Sequence, residues 1–224
     1  MKRTPLATWA FANALGLSVG FLAVLQTGFL LQFGLRTELH WTPQALGQGV
    51  SIYARLVGLL AGGALLGCAQ TLVLRRHSVR VLPWVLCTAA GFGLVVAIIW
   101  PLWAANLWGH IPGPIEPIII TVGGGTLAGV LQFLLLRRQA VPAGKWLTLW
   151  IAGLVLSMVP TGLVFIVLQQ LLRVPLNWPV QIGINGFMVG AFAALVSGKS
   201  LFVALSSQTS RPGSVAAAVG AGAV

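Results

Sequence analysis

The sequence predicts an all-α polytopic membrane protein, with six transmembrane helices in three pseudo-equivalent hairpin units and both termini on the cytoplasmic side. Three observations predict it. Apolar residues make up 58% of the 224 and charged residues 7%, with a mean hydropathy of +0.96, whereas soluble domains carry about 25% charge. Apolar runs of spanning length fall at about 8–33, 52–74, 84–106, 116–136, 146–171 and 178–198, and a span needs roughly 20 residues. Residues 62–94 also match 124–156 without a gap, which marks a duplicated supersecondary unit.

The first run follows Lys2 and Arg3, as in a secretory signal. Signal cores need only roughly 7–15 apolar residues and a small-x-small cleavage site. The run is longer and no such site follows, so it reads as an uncleaved first span, leading into an outer connection at 34–51. The second span ends on Arg75-Arg76 with Arg80 beyond, and the fourth on Arg137-Arg138 with Lys145 beyond. Lys199 and Arg211 follow the sixth. Ten basic residues thus lie on the side of the termini, against Arg36, Arg173 and the span-end Arg55 on the other. Lys and Arg near span ends are retained inside, which places the connections 34–51, 107–115 and 172–177 outside. The six-helix domain is read as 1–207, followed by a Gly/Ala-rich cytoplasmic tail at 208–224.

The repeat reads Gly63-x3-Gly67-x2-Gln70-x3-Leu74-Arg75-Arg76 against Gly125-x3-Gly129-x2-Gln132-x3-Leu136-Arg137-Arg138. It continues through Trp84/Trp146 and Gly91/Gly153, and Trp9 with Gly16 repeats that seven-residue spacing in the first span. Gly186 with Gly190 marks the sixth, with Ala193 at the glutamine position. Spans six and one are then the halves of a third unit cut by the termini, and span six is expected beside span one in a closed ring. This segment resembles hairpin-repeat integral membrane proteins of bacteria without assigned activity. The resemblance covers 62–94 and 124–156; it implies a bacterial inner-membrane location and carries over no catalytic residue.

Positions i, i+4 and i+7 share a helical face, so Gly63, Gly67 and Gln70 form one surface, as do Gly125, Gly129 and Gln132. Glycines a turn apart let backbones approach, a main source of association in lipid. Gly63, Gly67, Gly125, Gly129, Gly186 and Gly190 are therefore the expected packing positions. Gln70, Gln132, Asn13 and Asn185 are the candidate polar intramembrane positions, where packing across an interface is the plainer role and ligand contact the sharper one. Arg75, Arg76, Arg80, Arg137, Arg138 and Lys145 serve topology first, with a second role in gripping anionic lipid headgroups at about 1 kcal/mol per side chain.

The net charge of +11 comes with no basic stripe interleaved with exposed aromatics, so nucleic acid is not an expected partner. Trp9, Trp84, Trp146 and Trp150 near the inner boundary, with Trp41, Trp100, Trp103, Trp108 and Trp178 near the outer one, read as interfacial belts. No cofactor is evident; Trp100, Trp103 and Trp108 beside Pro101 and Pro112 are the one place where a pigment or quinone ring would stack. Glu38 and Glu116 are the sole acids, and His40, His77 and His110 all lie outside the spans, so neither a metal set nor an intramembrane proton relay is expected. Arg36, Glu38, His40, His110 and Glu116 read as solvated outer residues. Cys68 and Cys87 read as small core residues. Pro101 and Pro160 are expected to kink spans three and five, with Ser157 and Thr161 re-satisfying carbonyls in the latter.

Three functions fit this inventory. The chain is first a non-enzymatic scaffold or accessory subunit of a larger membrane complex, with a membrane-protein partner, binding lipid or pigment along glycine-lined grooves. The second is a small transporter or channel with a cavity lined by Gln70, Gln132, Asn13 and Asn185. The third is a lipid-modifying enzyme working from the outer interface through His40, His110 and Glu116.

Overall fold

A computed structural model describes residues 5–38, 43–77, 79–104, 115–139, 141–171, 173 and 178–209, which are helical apart from short connections and include no strand. The helices are α1 (Pro5–Glu38), α2 (Pro43–Leu74), α3 (Val81–Ala104), α4 (Ile115–Arg138), α5 (Gly144–Leu156), α6 (Met158–Ile166) and α7 (Trp178–Thr209). Six segments are long and apolar enough to cross a membrane, α5 and α6 together making the fifth. The chain is a multi-pass membrane protein.

Helix starts follow local chemistry: α1 and α2 each begin on proline, whose fixed φ and missing N–H suit the first helical position. Past the end of α2, Arg75–His77 winds into a 3₁₀ turn. Past α4, the Gln139 and Val141 amides both donate to the Leu136 carbonyl, satisfying a terminal acceptor that the helix cannot. The fifth span is broken at Ser157, three residues before Pro160. Proline has no N–H for the preceding turn. Around this break the Ser157 hydroxyl donates to the Leu154 carbonyl at 2.6 Å and the Thr161 hydroxyl to the Ser157 carbonyl at 2.8 Å, whereas the carbonyl that Pro160 leaves without its amide is that of Leu156. The span then ends in a π-type turn, Val167–Leu171.

Each span packs on its chain neighbours, and α7 packs on α1, so the helices close into a ring in sequence order. Glycines sit at every contact around it. Gly20 and Gly62 face each other across α1 and α2; a Cβ on either would come within 2.8 Å of the other's carbonyl oxygen. Gly63 and Gly67 meet α3 at Ala89 and Val85, Gly91 meets Ala128 on α4, and Gly125 and Gly129 meet Leu154 and Trp150 on α5. Gly153 meets Ala193 on α7, and Gly186 and Gly190 meet Ser18 and Asn13 on α1. Gly63, Gly67, Gly125, Gly129, Gly186 and Gly190 thus each lie against a neighbouring helix.

Several boundaries differ from the sequence reading. α1 continues to Glu38 and α2 starts at Pro43, so most of the expected 34–51 connection is helix. α7 runs to Thr209 rather than ending near 198, because Leu201, Ala204 and Leu205 are buried against the bundle while Ser200, Ser206 and Ser207 donate back to carbonyls of their own helix. Residues 210–224, most of the expected tail, lie outside the described residues.

The inner tryptophans require the largest correction. Trp9, Trp84 and Trp146 are 0%, 0% and 1% exposed, and Trp150 is 3%, so they fill the interior of the ring instead of forming a belt. Trp84 lies 6.2 Å from Trp146 and Trp146 lies 6.3 Å from Trp150, ring centre to ring centre. Their depth along the spans suits a belt, but direction decides, and these indoles point inward. The side chains of the five outer tryptophans lie outside the described residues. Cys68 is also corrected: it is exposed on the outward face of α2, whereas Cys87 is half-buried.

Candidate functional site

The interior carries a connected polar cluster, built by four helices. Asn13 on α1 donates from Nδ2 to its own helix at the Trp9 carbonyl, 2.9 Å, and accepts at Oδ1 from Gln70 Nε2, 2.7 Å. Gln70 on α2 accepts at Oε1 from both Trp84 Nε1 on α3, 2.8 Å, and Gln132 Nε2 on α4, 2.9 Å. Gln132 Nε2 also donates to the Thr88 hydroxyl at 2.7 Å, and Thr88 in turn donates to the Trp84 carbonyl at 2.9 Å. All five side chains are 0% or 1% exposed. Gln70 is the hub, because its amide links three other helices.

The helices place these groups for simple reasons. Gln70 and Gln132 stand on the glycine faces of α2 and α4, one turn past Gly67 and Gly129, so they enter the interior with those faces. Asn13 and Thr88 each follow a buried tryptophan by four residues, one turn along the same stripe. Trp150 follows Trp146 by the same spacing, and its Nε1 donates to the Gly125 carbonyl at 2.9 Å. The sequence reading missed the roles of Trp84, Thr88 and Trp150, although this Trp-x3-polar spacing was there to be read.

Of the four predicted polar positions, three meet here. Asn185 does not: it is half-buried on α7, 12 residues and so about 18 Å of helix from Ser197, the buried α7 residue one turn past the Gly153 contact at Ala193. Ser197 is 0% exposed and donates to the Ala193 carbonyl at 2.7 Å. Two buried indole nitrogens, Trp9 Nε1 and Trp146 Nε1, have no acceptor.

Below the cluster, Leu74, Leu136 and Leu201 are fully buried, and beyond it Leu17, Phe92 and Leu154 are buried, so apolar layers flank it on both sides. Arg75, Arg80, Arg137, Arg138, Lys145 and Lys199 are exposed at the end of the bundle where α2, α4 and α7 finish; Arg76 belongs to the same 3₁₀ turn as Arg75. His77 packs against Phe202 there, 5.5 Å between ring centres. Among the described residues no three His, Cys, Asp or Glu side chains come together as a metal site. His40 and His110 lie outside the described residues, as do the side chains of Arg36, Glu38 and Glu116.

A buried amide network of this kind has limited chemistry: it has no titrating group near neutrality and no nucleophile stronger than a hydroxyl. It can hold helices in register, with each intramembrane hydrogen bond worth about 0.6 kcal/mol on average. The sequence matches no described protein family and no curated protein, and no solved structure matches the chain.

Proposed function

We propose that the chain is a non-enzymatic scaffold or accessory subunit of a larger complex in the bacterial inner membrane, built as three copies of one hairpin with both termini in the cytoplasm. The observation that carries this reading is that the interior polar groups bond to one another: Gln70 engages Asn13, Trp84 and Gln132 at 2.7–2.9 Å. Side chains so engaged hold the bundle together and present its apolar outer surface to lipid and to a partner. The transporter alternative asks Gln70, Gln132, Asn13 and Asn185 to line a water-filled cavity. Three of them are instead hydrogen-bonded to one another in a chain within the buried interior, and the fourth lies elsewhere.

The contacts also support the third hairpin, with a register one turn later than the glycine spacing suggests. Gly63 faces the Thr88 carbonyl, Gly125 carries the carbonyl that takes the Trp150 indole, and Gly190 faces the Asn13 carbonyl. Thr88, Trp150 and Asn13 all stand four residues past the repeated tryptophan. In that register Ser197, not Ala193, takes the place of Gln70 and Gln132.

Purification of the tagged chain from native membrane in mild detergent tests the functional reading, with recovery of a stoichiometric membrane-protein partner expected. Solute flux in vesicles containing only this chain, abolished by Gln70→Leu in protein that remains folded, would instead establish the transporter. Orientation is checked on a Cys-free variant carrying single cysteines. Positions 40 and 110 are expected to label from outside, and positions 78 and 208 only after permeabilisation; outside labelling at 78 would reverse the topology.

A further inference from the structure

We propose that an ordered water molecule inside the ring joins the Trp146 indole to the Gln132 side-chain carbonyl, accepting from Nε1 and donating to Oε1. This is independent of the scaffold reading. Gln132 and Trp146 repeat Gln70 and Trp84 at an offset of 62 residues, and in that earlier pair the contact is direct, Trp84 Nε1 donating to Gln70 Oε1 at 2.8 Å. The later pair also stands level. Gly129, one turn before Gln132, packs on Trp150, one turn after Trp146 on the next span. Yet Trp146 Nε1 has no acceptor, although Trp146 is 1% exposed.

The reason lies in how the Gln132 amide is turned. An indole nitrogen can only donate, so Trp84 fixes the Gln70 carbonyl oxygen on its own side. Gln132 has to meet that oxygen with its NH2 group: Nε2 donates to Gln70 Oε1 at 2.9 Å and to the Thr88 hydroxyl at 2.7 Å. Both amide protons are then committed to α2 and α3, and Oε1 takes no donor among the described residues. A donor on α5 and an acceptor on α4 thus share one buried level without bonding directly. Water answers both at once, because it accepts and donates and spans a separation too long for a direct bond. Buried waters characteristically sit on such otherwise unsatisfied groups. An ion would satisfy one of the two and leave the other, and none of the described buried side chains is charged to hold it.

The test uses the full-length chain in detergent micelles with isotope-labelled tryptophan, reading magnetisation transfer from water to each indole proton by NMR. Resonances are assigned through Trp84→Phe and Trp146→Phe. The Trp146 indole is expected to show direct transfer from water, whereas the Trp84 indole, bonded to Gln70, is expected to show none. Gln132→Leu should abolish the Trp146 signal, since the water loses the acceptor that holds it. In unfolding measurements, Trp146→Phe combined with Gln132→Leu should show coupling of about threefold in the equilibrium constant, the worth of an average intramembrane hydrogen bond. Trp146→Phe combined with Asn185→Ala should be additive. Should Gln132→Leu not fold, the comparison of the two indoles in the wild-type chain carries the test by itself. No transfer at Trp146, equal transfer at both indoles, a Trp146 signal that survives Gln132→Leu, or additivity of the first pair would overturn the proposal.

Discussion

Gly91→Leu is expected to be the most damaging single substitution in the bundle, lowering stability by about 3 kcal/mol or more, beyond the usual range for an overpacked core. A Cβ at Gly91 would overlap the backbone nitrogen and Cα of Ala128. No rotamer can relieve an overlap with backbone, so α3 and α4 would have to part, and in a closed ring that movement strains the neighbouring contacts. At Gly67 the nearest atom is the Val85 Cα at 2.8 Å, again backbone, whereas at Gly129 it is the Trp150 ring at 2.6 Å, a side chain that can give a little. The expected order of damage for leucine is therefore Gly91, Gly67, Gly129. Leu86→Ile, at a position 57% exposed on α3, should stay within about 0.5 kcal/mol of wild type. Thermal unfolding in detergent, or retention of a monodisperse peak after heating, ranks the four. Similar losses for Gly91→Leu and Leu86→Ile would mean that close backbone approach does not hold these helices.

Gln70→Leu is expected to cost about 2–3 kcal/mol, more than Gln132→Leu, because it takes a hydrogen bond from three groups at once. The Trp84 indole loses its acceptor, Asn13 Oδ1 loses its donor and the Gln132 amide keeps only the Thr88 hydroxyl, all within a region 0% or 1% exposed. Gln132→Leu removes one donor group shared between Gln70 and Thr88 and leaves the Asn13–Gln70–Trp84 chain intact. A cycle built from Asn13→Ala and Gln70→Leu should show coupling, since the two residues bond directly, whereas Asn185→Ala combined with Gln70→Leu should be additive. A larger effect from Gln132→Leu than from Gln70→Leu would remove Gln70 from the centre of the network.

The membrane class and the number of spans were legible because they depend on quantities a linear chain displays: run length, charge content and the position of arginines at run ends. The glycine faces were legible for a related reason. The spacing of Gly63, Gly67 and Gln70 puts them on one helical stripe whatever surrounds the helix. The tryptophans show where such reading stops. Trp9, Trp84 and Trp146 stand at a depth that suits an interfacial belt, and depth along a helix says nothing about which way a side chain faces. Inside the ring Trp9 packs over Gly198 of α7, while Trp84 and Trp146 pack on each other. The extra turns of α7 have the same origin: there Phe202 packs on Trp9 of α1 and on His77 of the turn after α2, and Leu201 and Leu205 are buried.

Composition and periodicity alone thus establish six apolar helices and mark the glycine stripes of the second, fourth and sixth, because both follow from transfer free energy and the 3.6-residue repeat. Which helix meets which, and how far along, is left to tertiary packing. The closure of α7 onto α1 depends on Gly186 and Gly190 finding Ser18 and Asn13, residues more than 160 positions away in the chain. The joining of Asn13, Gln70, Trp84, Thr88 and Gln132 into one network likewise needs four helices brought to a common level. Each of those amides, hydroxyls and indoles would suit many partners taken singly; only the distances fixed by backbone-to-backbone contact at the glycines select the set that bonds.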